Sequence, residues 1–122
     1  MCFDKELLKP YNQCKYTSLE RLNKPLSCSG SLVVRLFTDL EHRQRIVLYS
    51  DSKPVSALLL EKIGQYTGYV IKGVYTVPEE RRKGYAKQLL ALSRFYLGKV
   101  RHSEHLTKEG ELWVKSVENI PD

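Results

Sequence analysis

The chain has 122 residues, which is room for one domain spanning 1–122, and an apolar fraction of 42%, which is enough for one core. No apolar run approaches the roughly 18 residues of a membrane span. Met1-Cys2-Phe3-Asp4-Lys5 lacks the layout of a signal peptide, so the default expectation is a cytoplasmic protein with no membrane partner. The net charge of +6 favours anionic partners, but no helix-turn-helix, zinc-finger or RNP-type pattern accompanies it, so nucleic acid is an expectation resting on charge alone.

Residues 1–30 read as irregular. Asp4–Leu8 and Ser18–Leu22 are predicted as short helices, Pro10 and Pro25 interrupt the pattern, and Ser27-Cys28-Ser29-Gly30-Ser31 is turn-like. Cys2, Cys14 and Cys28 are odd in number, form no C-x-x-C pair and lie far in sequence from His42, His102 and His105; no metal site is expected, and the thiols read as reduced. Leu32–Phe37, Arg45–Tyr49, Val55–Glu61 and Tyr69–Thr76 are rich in β-branched and aliphatic residues and are predicted as four strands. The short links between them predict an antiparallel meander.

The stretch from Val74 to Leu90, VYTVPEERRKGYAKQLL, carries the most information. It reads as a strand entering a tight basic turn that opens a helix. The first N–H groups of a helix have no intrahelical partner, and the dipole adds partial positive charge there, so such a turn suits a phosphate. Gly84 and Ala86 keep it free of bulk, and Arg81, Arg82, Lys83 and Lys87 add full charges. The plainer reading is a surface strand–helix turn that is merely basic.

The helix is predicted over Gly84–Leu97, with Ala86, Leu89, Leu90, Ser93 and Leu97 on its buried face and Gly98 as C-cap. Lys99–His102 is predicted as a fifth strand parallel to the fourth, because strand–helix–strand crossovers make parallel neighbours. Thr107 then N-caps a last helix with Glu109 and Glu111 in its first turn, burying Leu112, Trp113, Val117 and Ile120. The predicted order is β-β-β-β-α-β-α after an irregular start.

Arg81-x-x-Gly84-x-Ala86, preceded by Thr76-Val77-Pro78-Glu79-Glu80 and followed by Leu89-Leu90, resembles the acetyl-CoA signature of the GNAT superfamily of N-acetyltransferases. The resemblance covers roughly residues 31–118, with its specific part at 69–90. It implies an α/β (α+β) acyl-CoA N-acyltransferase fold: a mixed, mostly antiparallel sheet flanked by helices. It also implies acetyl-CoA as co-substrate and an amine acceptor, with a protein amine as one acceptor class. The implied cofactor-binding residues are Tyr75, Thr76, Val77, Arg81, Arg82, Lys83, Gly84, Tyr85, Ala86 and Lys87. The pyrophosphate would rest on the amides of Arg81 to Ala86. The pantetheine arm would pair with the backbone of Tyr75 to Val77, in a slot left where the fifth strand diverges. An N–H near Thr76 would polarise the acetyl carbonyl.

The same resemblance leaves the chemistry open. The strand Glu of many relatives falls on Val70, and many relatives place a Tyr in the last helix, which here carries Trp113 and no Tyr. His102, Ser103 and Glu61 are the substitutes that can be named as catalytic. His102 is either a titrating group beside the slot or a strand-end residue that bonds backbone. Ser103 is either a substrate contact or a turn former. Glu61 is either a cleft carboxylate or an exposed strand-end residue. Relatives continue with two further strands after the last core helix, whereas only Glu118 to Asp122 remain here, so the resemblance implies a truncated fold. Its acceptor side would be open, or completed by another subunit such as a second copy, or stripped of acceptor chemistry. The alternative function is therefore a non-catalytic module on the same scaffold that binds and modulates a host or cellular protein. His102-Ser103-x-x-Leu106-Thr107-x-x-Gly110-x-x-Trp113 is also similar to the end of small acetyltransferase-like proteins of bacteriophages.

Overall fold

A computed structural model describes residues 2–62, 68–103, 106 and 108–118. Six strands lie side by side in chain order: β1 (Glu20–Ser29), β2 (Leu32–Asp39), β3 (Arg43–Ser50), β4 (Lys53–Lys62), β5 (Tyr69–Thr76) and β6 (Val100–Arg101). Neighbours from β1 to β5 are antiparallel, and β6 joins β5 in parallel. Among the described residues two helices follow β5, α1 (Tyr85–Leu97) and α2 (Lys108–Glu118).

The meander follows from its turns. β3 and β4 are joined by Asp51 and Ser52, both with positive φ (50° and 67°), the two-residue geometry that matches strand twist. α1 forms where the helical spacing lies, burying Leu89, Leu90 and Ser93, and it stops at Gly98, whose N–H donates to the Arg94 carbonyl at 3.2 Å. The crossover through α1 brings β6 back parallel to β5, but only Tyr69↔Val100 and Val70↔Arg101 pair before the two strands part.

Each face of the sheet carries its own core. Ile46, Leu48, Leu58, Leu60, Ile71 and Val74 meet Leu89, Leu90 and Val117 on the helix face. Phe37, Val47, Ala57 and Leu59 meet Leu7 and Cys14 on the other, covered by the N-terminal segment with its single 3₁₀ turn, Lys5–Leu8. Asp4 caps that turn, accepting the Glu6 N–H at 3.0 Å, so the helical reading of Asp4–Leu8 describes a 3₁₀ turn over Lys5–Leu8.

Ser18–Leu22 is not a helix. Residues 20–29 form β1, paired from Glu20↔Asp39 to Ser29↔Leu32, so the chain before residue 31 is less irregular than its sequence suggests. Only Glu20 of β1 is buried; positions 21–25 are all exposed, and no alternation marks them as a strand. Pro25 is tolerated because β1 is an edge strand, and the register shifts on either side of it. Pairing with β2 and one buried ion pair override local preference. Arg45 and Glu20 are both fully buried, with Arg45 Nε and Nη2 donating to the two Glu20 carboxylate oxygens at 2.8 and 2.7 Å. Arg45 Nη1 donates to the carbonyls of Leu7 and Lys9, and its guanidinium lies 4.6 Å from the Phe37 ring centroid.

The fifth strand predicted over Lys99–His102 is shorter, Val100–Arg101. In α2, Val117 is buried and Trp113 half-buried, whereas Leu112, expected inside, is 56% exposed. The predicted cap Thr107 and the predicted core residue Ile120 lie outside the described residues.

Candidate functional site

At the C-terminal end of β5 the chain enters a second 3₁₀ turn, Pro78–Glu80, and then the start of α1. The Glu80 and Arg81 N–H groups are used inside this turn, donating to the carbonyls of Val77 and Pro78 at 2.9 and 3.4 Å. The Arg81 amide is therefore spoken for, and a cradle of amides begins after it. Arg82 (φ 68°) and Gly84 (φ 79°) both adopt the left-handed conformation, which turns the backbone sharply into the helix. Gly84 is the N-cap and brings no side chain to the amides of the first turn, Tyr85 and Ala86 among them. A Cβ placed on Gly84 would meet nothing within 4 Å, so the space above the turn is open for an approaching group.

This turn forms one end of a cleft of about 720 Å³ between β5, α1 and α2. Its basic wall is Arg81, Arg82 and Lys87, with Gly84, Tyr85 and Ala86 between them. Its floor is Val74, Tyr75 and Thr76, and its far wall is Leu112, Trp113 and Ser116 of α2. Arg81 ties the turn to the strand, with its Nε donating to the Thr76 carbonyl at 2.9 Å and its guanidinium 5.6 Å from the Tyr75 ring centroid. Thr76 Oγ1 lies 2.8 Å from Ser56 Oγ, which fixes the Thr76 side chain toward β4.

Backbone alternation sets what β5 presents to the cleft. The Val77 N–H donates to Val55 of β4, and the Val74 N–H points the other way, to the carbonyl of Cys2. Thr76, two residues on from Val74, therefore turns its N–H to the cleft side of the strand.

Of the sequence-predicted cofactor residues, Tyr75, Thr76, Arg81, Arg82, Gly84, Tyr85, Ala86 and Lys87 border this cleft. Val77 and Lys83 do not. The Val77 amide is engaged with β4, and the Lys83 ammonium pairs with the Glu80 carboxylate at 2.7 Å, a contact that raises the lysine pKa. Phe3, Glu80, Glu109, Leu112, Trp113 and Ser116 also border the cleft and were not legible as site residues, because they come from the N-terminus, the 3₁₀ turn and α2.

The three predicted catalytic residues are not brought together. Glu61 pairs with Val70 at the far end of β4 from Ser56↔Thr76, about 17 Å away at the usual strand rise. It accepts from Arg43 Nε at 3.2 Å and borders a separate depression with Cys2, Tyr16, Leu59 and Lys72. His102 follows β6 but turns to α2, with its Nε2 3.0 Å from Glu118 Oε1 and its ring edge-on to Trp113 at 5.6 Å. The hydrogen bond from His102, with help from Arg94 at 2.7 Å, holds the Glu118 carboxyl below its usual range. His102 Nδ1 is buried and has no partner among the described residues. Neither His102 nor Ser103 borders the cleft.

Among the described residues no group of three or more His, Cys, Asp or Glu side chains is placed to hold a metal ion, and no helix is long and apolar enough to cross a membrane. The family model for the acetyltransferase (GNAT) family matches residues 8–108, most of the chain. The protein belongs to that family, and its six-stranded mixed sheet with two helices is the acyl-CoA N-acyltransferase fold. No curated protein and no solved structure matches the chain closely enough to add to that assignment. Family membership supports an acetyltransferase activity that draws on acetyl-CoA.

Proposed function

We propose that the protein binds acetyl-CoA in the cleft at the end of β5 and transfers the acetyl group to an amine. The observation that carries this reading is the turn at Arg82–Ala86. Two left-handed residues, Arg82 and the open N-cap Gly84, and the cationic side chains of Arg81, Arg82 and Lys87 converge on one end of a cleft whose floor is a strand edge. The pyrophosphate belongs on the amides from Arg82 to Ala86, with Arg81, Arg82 and Lys87 adding charge. The pantetheine arm belongs along Val74–Thr76, and the Thr76 N–H is the donor suited to polarise the thioester carbonyl. In the transfer the amine nitrogen forms a bond to the acetyl carbon, the carbon–sulfur bond breaks, and coenzyme A leaves as the thiol with the proton lost by the amine. Positioning of the two reactants supplies much of the rate in such a reaction.

We infer an amine on a protein as the acceptor. What supports this is the openness of the mouth: Leu112, which borders the cleft, is 56% exposed. A second reading, a binding module without turnover, is favoured by one observation, the positions of Glu61 and His102 away from the cleft.

Isothermal titration with acetyl-CoA decides first. The Arg81→Glu, Gly84→Asp variant is expected to bind at least about thirtyfold more weakly, the loss of roughly 2 kcal/mol of hydrogen bonding to a charged group. Absence of binding by the unaltered protein would reject the cofactor site. Release of free coenzyme A that depends on an added amine-bearing protein separates the enzyme from the binding module.

A further inference from the structure

The gap between β5 and β6 is not empty along its whole length. Past Val70 and Arg101 the two strands part, and the space beside β5 is taken by the N-terminal residues Cys2 and Phe3. Cys2 forms a parallel bridge with Gly73: its N–H donates to the Lys72 carbonyl at 3.0 Å, and its carbonyl accepts the Val74 N–H at 3.0 Å. The next residue, Phe3, borders the cleft, while Cys2 borders the depression with Glu61 and Lys72. Two openings thus share one partition, two residues thick.

Gly73 is what lets the partition sit so close. A Cβ there would lie 2.6 Å from Cys2 Sγ and 3.3 Å from the Cys2 carbonyl oxygen, with Leu7 Cδ1 at 3.1 Å. The segment is anchored just behind its tip. The Asp4 carboxylate accepts from Glu6 N–H and Tyr16 Oη and lies 3.4 Å from Lys15 Nζ, and Leu7 is fully buried. Cys2 and Phe3, ahead of these anchors, form the partition itself.

We propose that Cys2–Phe3 is an autoinhibitory strap that holds the strand-edge groups of β5 in place of the acyl donor's arm, and that donor binding displaces it. This rests on the acetyl-CoA reading above. The arm of the donor is an extended chain of amides, and the Val74 N–H beside the cleft floor is a group it would seek; Cys2 already occupies that group. The strap and the arm therefore compete, and the apparent affinity for the donor is lowered by the fraction of molecules in which the strap is closed. The phosphate end of the site, at Arg82–Ala86, lies outside this competition.

The test compares acetyl-CoA with adenosine 3′,5′-bisphosphate, which carries phosphates but no arm, by titration against the full chain and its Gly73→Ala variant. The added Cβ expels Cys2, so acetyl-CoA is expected to bind about fivefold or more tightly to the variant while the bisphosphate is unchanged. Phe3→Ser, which removes the strap's apolar hold and leaves Leu7 untouched, is expected to act in the same direction if Gly73→Ala does not fold. In a Cys28→Ser background, alkylation of the Cys2 thiol by iodoacetamide should accelerate when acetyl-CoA is saturating and not when the bisphosphate is. Equal acetyl-CoA affinity in all variants, with Cys2 alkylation unchanged by the ligand, overturns the strap while leaving the cofactor site intact. Binding of neither ligand to any form overturns both.

Discussion

The two faces of the sheet are held by different physics. On the helix face, α1 and Val117 of α2 press an apolar stripe onto Ile46, Leu48, Leu58, Leu60, Ile71 and Val74. On the other face an irregular segment is tied down by polar groups: the buried Arg45–Glu20 pair, the Arg45 bonds to the Leu7 and Lys9 carbonyls, and the reciprocal bonds of Asn12 and Glu20. The first arrangement tolerates imperfect geometry, because apolar burial is non-directional. The second does not, because each buried charge needs its partners in place. The cleft lies on the forgiving side, where α2 leaves room against α1, and the strap reaches it from the exacting side.

The contrast is broken most severely at its ion pair. Arg45→Ala or Glu20→Ala is expected to destabilise by about 3–5 kcal/mol, since either leaves a fully buried charge without its partner. Urea unfolding measures the loss. The double variant Arg45→Met, Glu20→Leu should recover most of it, as an apolar pair of similar volume needs no partners. Recovery of none would mean that the bonds to Leu7 and Lys9, rather than the charge pairing, carry the face.

On the helix face Leu89→Ala should cost about 2–4 kcal/mol, the usual range for a buried Leu that leaves a cavity. No companion substitution should be needed to interpret it. A cost as large as that of Arg45→Ala would erase the distinction between the faces.

At the cleft, Gly84→Ala forces a left-handed φ on an L-residue but meets no atom within 4 Å, so about 1 kcal/mol of stability is expected to be lost. The same change puts a methyl over the amide cradle. Acetyl-CoA affinity should fall by more than stability does, and a titration beside an unfolding curve checks the order.

The smallest effect is in acid. The hydrogen bond from Tyr16, followed by that from the Glu6 amide, lowers the Asp4 pKa to about 2 from its ordinary 3.8. A depressed folded pKa stabilises the fold above the unfolded value. That contribution is complete above about pH 4 and disappears as pH falls toward 2. Asp4→Asn should flatten this part of the acid unfolding profile, and with it the hold on the strap. Glu118, lowered mainly by His102, adds a second loss on the helix face below the ordinary glutamate range.

How far the sequence could be read follows the same division. The four strands of the meander and α1 were legible because each carries its own period, and the basic turn because its residues are consecutive. β1 was not, since five of its positions are exposed in a row and its one buried residue, Glu20, is polar. The far wall of the cleft was read as core: Leu112 falls on the apolar spacing of α2, yet the helix stands far enough from α1 to leave it on a rim. Lys83, one of four cations in the turn, points back to Glu80, and no spacing rule distinguishes it from Arg82.

By itself the sequence determined the family, the order of the central elements and the basic turn that opens α1, because these depend on residues within about one helical turn or one strand of each other. The tertiary structure alone decided that Glu20 meets Arg45, that Glu61 and His102 stay away from the cleft, and that Cys2 lies against Gly73. Each of these joins residues from separate elements. Such contacts are fixed by strand register and by how the helices settle on the sheet, and neither leaves a local mark in the chain.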